Sequence, residues 1–218
     1  RRYQAVFDRC IYFRWSFFKD ATIRFTPLAH IYPPVRFGLL PGNDASMRLT
    51  GGEGKGRRLL DAPDHVRPTS GRIREQLFFM LRDRIEDSSV LDLYAGTGAL
   101  GLEALARGAE SATFVDCDRV SIRVIKGNLE RCKFSDRATV LPGDVLKKIR
   151  QPVQLRGPFD LIFADPPYDD FSLTSLLELI REMNLLRPDG LFVYETRPKE
   201  DWVAVDGWQL VDERVVGG

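Results

Sequence analysis

From Ser88 to Val211 short apolar runs alternate with longer segments whose apolar residues recur at helical spacing, and that alternation leaves few folds open. Val90–Tyr94, Ala112–Asp116, Ala138–Leu141, Phe159–Ala164, Leu191–Tyr194 and Trp208–Val211 read as strands. Gly98–Arg107, Val120–Phe134, a short stretch from Val145, and Ser172–Met183 read as helices; Val124, Ile125, Leu129 and Cys132 mark the buried side of the second. Strands separated by helices predict an α/β fold with a doubly wound, mostly parallel sheet and helices on both faces. Such sheets bind ligands beyond the carboxyl ends of their strands, so the chemistry is sought at those ends.

The first strand runs into Asp92-Leu93-Tyr94-Ala95-Gly96-Thr97-Gly98-Ala99-Leu100-Gly101, a GxGxxG at a strand-to-helix turn. Its glycines let the backbone approach a ligand and offer it the N–H groups of a helix N-terminus. Asp116, at the end of the second strand, is suited to two ribose hydroxyls. A dinucleotide satisfies this much as well as S-adenosylmethionine does. Asp92 discriminates, because a carboxylate just before the turn repels a pyrophosphate but pairs with the α-ammonium of a methionine moiety. Asp144 follows the third strand, where a carboxylate can accept from an adenine amino group. One acid at a strand end is often only a helix cap; three at successive strand ends, beside a glycine turn, outline a cofactor site.

Asp165-Pro166-Pro167-Tyr168 directly follows the strand Phe159–Ala164. Two prolines restrict the backbone and remove two N–H donors, which leaves the Pro166 carbonyl and the Asp165 carboxylate as rigid acceptors. Tyr168 offers a ring on which a base can stack, worth about 1–3 kcal/mol. Acceptors and a stacking ring suit an exocyclic amine on a planar base. The lone pair of such an amine is delocalised into the ring; hydrogen bonds that draw its protons out of plane make it available to an electrophilic methyl. Carbon-5 methylation of a pyrimidine needs a cysteine nucleophile, and no Cys follows Cys132.

Charge is distributed unevenly. Residues 1–46 carry seven Lys/Arg against three Asp/Glu and residues 47–84 nine against five, whereas 85–218 carry 16 against 23. A basic front before an acidic body suits a polyanionic partner. Within the front, short strand-like stretches at 47–50 and 56–60 flank Gly51, Gly52 and Gly54 and predict a hairpin. Thr69 or Ser70 then caps a helix with Ile73, Leu77, Leu81 and Ile85 on one side. The chain thus divides into an extension of uncertain order at 1–46, a basic hairpin-and-helix arm at 47–87 that docks on the main domain, and a catalytic domain at 88–218.

Residues 1–46 hold ten of the 23 aromatics without a clear period and read as poorly ordered. Asp8, Arg9 and Arg14 interrupt any secretory apolar run, while the arginine excess keeps an organelle transit segment open as an alternative; a third reading starts the natural chain at Met47. With 44% hydrophobic and 29% charged residues, the composition is that of a soluble globular protein without a membrane span. Cys10, Cys117 and Cys132 lack CxxC spacing, and two histidines are too few to help them, so neither a zinc site nor a disulfide framework is expected.

The combination is similar to the RsmD family, which methylates the N2 amine of a guanine in bacterial 16S rRNA. MRLTGG at 47–52, KGRRL at 55–59, RPT at 67–69, RIREQLF at 72–78, DLYAGTGALGLEALARGA at 92–109, FVDCD at 114–118 and FADPPY at 163–168 carry the resemblance, which covers residues 47 to about 216. It implies a Rossmann-like class I methyltransferase using S-adenosyl-L-methionine. Donor contacts are implied at Asp92, Ala95, Gly96, Thr97, Gly98, Asp116, Cys117 and Asp144, and catalytic contacts at Asp165, Pro166, Pro167 and Tyr168. RNA contacts are implied for the basic front: Lys55, Arg57, Arg58, Arg67, Thr69 and Arg72. The implied partner is rRNA or a small-subunit assembly intermediate, met by a monomer without metal, in the cytoplasm of a bacterium or in an organelle if residues 1–46 are a transit segment. Four departures stand out. Gly71 replaces the usual acid, Asp116 the usual Glu, residues 1–46 have no family counterpart, and the final antiparallel strand is expected to be missing, leaving an exposed sheet edge or marking a truncated chain. Adenine-N6 methylation of DNA, and a non-catalytic RNA-binding or ribosome-assembly role on the same fold, are the competing readings.

Overall fold

The computed structural model describes residues 10–18, 47–61, 69–166, 173–196 and 205–217. In chain order its strands and helices are β1 (Cys10–Phe18), α1 (Gly71–Met80), β2 (Ser89–Leu93), α2 (Ala99–Ala106), β3 (Ser111–Asp116), α3 (Arg119–Cys132), β4 (Ala138–Pro142), α4 (Val145–Ile149), α5 (Pro152–Leu155), β5 (Phe159–Ala164), α6 (Leu173–Glu182), β6 (Leu186–Thr196) and β7 (Trp208–Gly217). The strands form one sheet in the order β4-β3-β2-β5-β6-β1-β7, and every ladder in it is parallel.

Period-two alternation of apolar residues explains why both faces are covered. On β2, Val90 faces one core and Leu91 and Leu93 the other; on β5, Leu161 and Phe163 oppose Ile162 and Ala164; on β6, Leu191 and Val193 oppose Phe192 and Tyr194. Strands buried on both sides read as continuous apolar runs, and each needs a helical layer on each face. One layer contains α1, α2 and α3, the other α4 and α6. From β2 the chain moves outward through β3 to β4, then returns to pair β5 on the opposite side of β2, with Leu93 level with Ala164. The sheet reverses its winding there, so the tips of β2 and β5 border the crevice such topologies leave open.

Two features differ from the sequence-based picture. Between Cys10 and Phe18, where no period was legible and poor order was expected, the run CIYFRWSFF forms a strand pairing β6 on one side and β7 on the other. Its aromatics and Ile11 are strong strand formers. The second difference lies at the end of the sheet where the final antiparallel strand is expected to be missing: β1, running parallel, takes the place beside β6, and β7 beyond it is the edge. The rest of residues 1–46 lies outside the described residues.

The hairpin of the arm closes through one antiparallel bridge, Arg48 to Arg58, with Leu49 N–H donating to the Arg57 carbonyl at 3.0 Å and Leu59 N–H to the Met47 carbonyl at 2.8 Å. Ser70 is the N-cap of α1, and Ile73, Leu77, Leu81 and Ile85 are all buried, as their four-residue spacing predicts. Met47, Leu49 and Leu59 join them in the core shared with α2 and α3. Polar contacts reinforce the docking. Thr50 N–H donates to Glu103 Oε1 at 2.7 Å, and Glu103, fully buried on α2, also faces buried Arg74 at 3.5 Å and Arg107 at 3.3 Å. Burial lowers the Arg74 pKa, and its Nη1 and Nη2 donate to the carbonyls of Thr69 and Arg48.

Candidate active site

The glycine turn begins at the tip of β2 with an alternation of backbone hand: Tyr94, Gly96 and Gly98 have φ of 56°, 55° and 75°. Only glycine adopts that region without cost, so Gly96 and Gly98 carry the turn and Tyr94 is a strained exception. Gly101 has a different role. A Cβ there would fall on the Phe114 ring, so its absence lets α2 lie against β3. Of the three glycines in the motif, two shape the ligand-facing loop and the third packs the helix behind it.

Asp92 is 2% exposed, and its Oδ2 accepts the Gly101 N–H at 2.9 Å. Asp116 joins the end of β3 to the same turn: Oδ2 accepts the Gly96 N–H at 2.7 Å and Oδ1 the Asp118 N–H at 2.8 Å. Each carboxylate oxygen has a second lone pair, so these bonds orient the groups and leave acceptor capacity for a ligand. Burial pushes Asp92 up to about 8, helped by the nearby charges of Asp116 and Asp165 and opposed by the Gly101 hydrogen bond. Asp165, which follows β5, is pushed up to about 6 by burial, and Asp116 is raised by the same cause. Three carboxyl groups therefore converge on the switch-point crevice. A hollow with that electrostatic character favours a cation.

Other sequence-derived residues surround this centre. Ala95 is buried, and its N–H donates to the Val115 carbonyl at 3.1 Å. Thr97 is buried, with its hydroxyl against the Met47 sulfur at 3.6 Å. Cys117 is exposed, and burial together with Asp116 raises its thiol pKa. Asp144 caps α4, accepting the Lys147 N–H at 2.9 Å. Pro166 is buried directly after Asp165; Pro167 and Tyr168 lie outside the described residues. Among the described residues no cluster of His, Cys, Asp and Glu is suited to a metal ion.

In the basic front, Lys55, Arg58 and Arg72 are exposed, Arg58 within 3.5 Å of Asp61. Arg57 has a structural partner instead, donating to the Cys132 and Arg131 carbonyls at the end of α3 at 2.9 and 3.2 Å. Thr69 is half-buried, and Arg67 lies outside the described residues.

Two residues escaped the sequence reading. Tyr94, half-buried, has its pKa raised by burial and by the charges of Asp144 and Cys117, so its phenol lies on the same side of the crevice as those two groups. A tyrosine between an acid and a glycine turn was the available signal. Asn128, on the buried face of α3, donates through Nδ2 to the Thr97 carbonyl at 3.1 Å and accepts the Leu60 N–H on Oδ1 at 2.7 Å. One amide thus holds both the glycine turn and the arm, and no local pattern announces it.

The family described as Conserved hypothetical protein 95 matches residues 47–218. The chain is 34% identical over 179 residues to Ribosomal RNA small subunit methyltransferase D of Haemophilus influenzae, covering 81% of this chain and 92% of that protein. It is 36% identical over 176 residues to the protein of the same name in Escherichia coli K12, covering 78% and 85%. The solved structure of yhhF from Escherichia coli has a TM-score of 0.66 at 34% identity, covering 74% of this chain and 86% of its own. The solved structure of a hypothetical protein from Thermus thermophilus has a TM-score of 0.63 at 31% identity, covering 72% and 89%.

Proposed function

The chain belongs to the RsmD family, described as Conserved hypothetical protein 95, and on that premise we propose that it transfers a methyl group from S-adenosyl-L-methionine to the exocyclic N2 amine of a guanine in small-subunit, 16S-type rRNA. The observation that carries the reading is the placement of Asp165 and Pro166 at the tip of β5, across the switch point from a glycine turn flanked by Asp92 and Asp116. A ligand with an ammonium and a sulfonium, and no phosphate, matches three convergent carboxyl groups; a pyrophosphate does not.

The residues fit this donor, which supplies an electrophilic methyl on a positively charged sulfur. Asp92, ionised on meeting a cation, holds the ammonium. The turn at Ala95, Gly96, Thr97 and Gly98 gives backbone close to the ligand, Asp116 takes the ribose hydroxyls, and Asp144 with Cys117 and Tyr94 borders the adenine. On the substrate side, the Asp165 carboxylate and the Pro166 carbonyl accept the two N–H bonds of the amine, turning its lone pair toward the methyl. With a pKa near 6, Asp165 is mostly ionised at neutral pH and acts as an acceptor throughout. It is also basic enough to take the proton shed after transfer, because a methylated aromatic ammonium is strongly acidic. Pro167 and Tyr168 complete the motif as rigid turn and stacking ring. Lys55, Arg58, Arg67, Thr69 and Arg72 belong to the RNA side. In this reading the protein acts as a monomer on rRNA or an assembling small subunit, in the cytoplasm of a bacterium or in an organelle if residues 1–46 are a transit segment.

Mass spectrometry of nucleosides from small-subunit rRNA, incubated with protein and donor as naked RNA and as assembled particles, tests this directly. N2-methylguanosine in either sample, absent with Asp165→Ala, is the expected result. N6-methyladenosine, methylated DNA, or tight RNA binding with no methylated product would overturn it.

A further inference from the structure

We propose that the exposed face of α3 is a phosphate track for the RNA substrate, running from the hairpin toward the glycine turn; the proposal rests on the rRNA-methylation reading and extends the RNA surface beyond the arm. Residues 85–218 are acidic overall, yet Arg119, Arg123, Lys126, Arg131 and Lys133 fall within 15 residues of it and face a single acid, Glu130. All six side chains are exposed. Arg119, Arg123 and Lys126 are spaced i, i+4, i+7 and share one stripe, opposite the buried Ile122, Ile125, Asn128, Leu129 and Cys132.

The arginines that serve the fold are identifiable by their partners. Arg57 binds the end of α3, Arg74 and Arg107 face Glu103, and Arg137 pairs with Glu53 and stacks on Phe134 at 4.9 Å. No ion pair among the described residues involves Arg119, Arg123 or Lys126. Glu130, at i+4 from Lys126, lies on the same stripe, which still carries three cations against one acid and presents a net positive face that a polyanion neutralises.

Position favours RNA over an acidic protein. The 14-residue helix spans about 21 Å at 1.5 Å per residue. Its first turn follows Asp116 and the capping Asp118, at the donor site, and its last turn receives Arg57 from the hairpin. Leu60 packs where a side chain on Gly127 would otherwise stand, bringing the hairpin strand alongside the stripe. Lys55 and Arg58 thereby continue the basic surface at the far end. A single phosphate backbone can meet these cations in succession on its way to the crevice.

The test is the salt dependence of binding to transcribed 16S rRNA, measured with the full chain. Each phosphate contact contributes about 0.7–0.9 to the slope of log K against log salt. Arg123→Ala/Lys126→Ala is expected to reduce the slope by about 1.5, and Arg123→Glu/Lys126→Glu to weaken binding more than tenfold at about 0.1 M salt, with donor affinity unchanged. Arg150→Ala/Arg156→Ala, on the opposite helical layer, is expected to leave the slope at its wild-type value. An unchanged slope in the α3 variants, or an equal loss in the control, overturns the track. Loss of binding to assembled particles but not to naked RNA also overturns it, assigning the face to a ribosomal protein. Failure of the methylation reading is read separately, from the modified nucleoside, so wild-type methylation with an unaffected α3 slope rejects only the track.

Discussion

The Asp92 carboxylate on β2 accepts the Gly101 N–H at 2.9 Å, bonding the strand to the helix that leaves its own glycine turn. The bond keeps a 2% exposed acid in place beside Asp116 and Asp165, two further acids that make its ionisation harder. Burial favours the neutral form of Asp92 and a neighbouring cation the ionised form, so on the proposed function its protonation is coupled to donor binding.

That coupling gives a sign. The folded pKa near 8 lies above the ordinary 3.8, so the folded protein holds a proton the unfolded chain releases, and stability falls as pH rises from about 4 through about 8. Asp165 adds to the fall between about 4 and about 6. Asp92→Asn should therefore melt higher than wild type at pH 8, with the advantage shrinking toward pH 4 in thermal scans. Donor affinity of the wild type should rise as pH increases from 6 to 8, while that of the variant stays weak and flat. A wild-type affinity independent of pH would refute the ammonium pairing.

Asp165→Ala removes one of the two acceptors proposed for the amine while leaving the glycine turn intact. Loss of one such positioned group costs about 100-fold or more in kcat. Calorimetry with the demethylated product of the donor should give a Kd within about twofold of wild type. In the wild type, kcat/KM should decline below pH 6 as Asp165 becomes protonated. Turnover retained by the alanine variant would remove Asp165 from the mechanism.

Asn128→Ala leaves the Leu60 N–H and the Thr97 carbonyl without their partner. At about 1–3 kcal/mol for each buried unsatisfied group, denaturant unfolding should register a loss of about 2–6 kcal/mol. Because the Thr97 carbonyl belongs to the glycine turn proposed to hold the donor, KM for the donor should also rise in Asn128→Asp, which keeps the acceptor for Leu60 and loses the N–H that donates to Thr97. Stability loss without a KM change would limit Asn128 to docking the arm.

Glu103→Ala strands Arg74 as a buried, unpaired cation, and such a break costs about 3–5 kcal/mol. Arg74→Met/Glu103→Leu removes both charges and should recover much of that loss, since the pair bears its own desolvation cost. A double variant less stable than Glu103→Ala in urea unfolding would show that the pair contributes more than mutual neutralisation.

The elements at 71–196 were legible because most report their own burial: Val90, Leu91 and Leu93 on β2 and Leu161 to Ala164 on β5 are apolar where a covered strand must bury them, and Ile73, Leu77, Leu81 and Ile85 repeat at the helical period. Asp92, the glycine turn and Asp165 were legible because ligand chemistry at strand ends is local in sequence. Strand order, the seating of β1 between β6 and β7, the convergence of Asp92, Asp116 and Asp165, the diversion of Arg57 to the end of α3, and the double bond of Asn128 were decided by the tertiary structure alone. Local pattern determines which face of a segment avoids water. Which distant segment meets that face, and which charges then share one crevice, depends on packing between residues far apart in the chain.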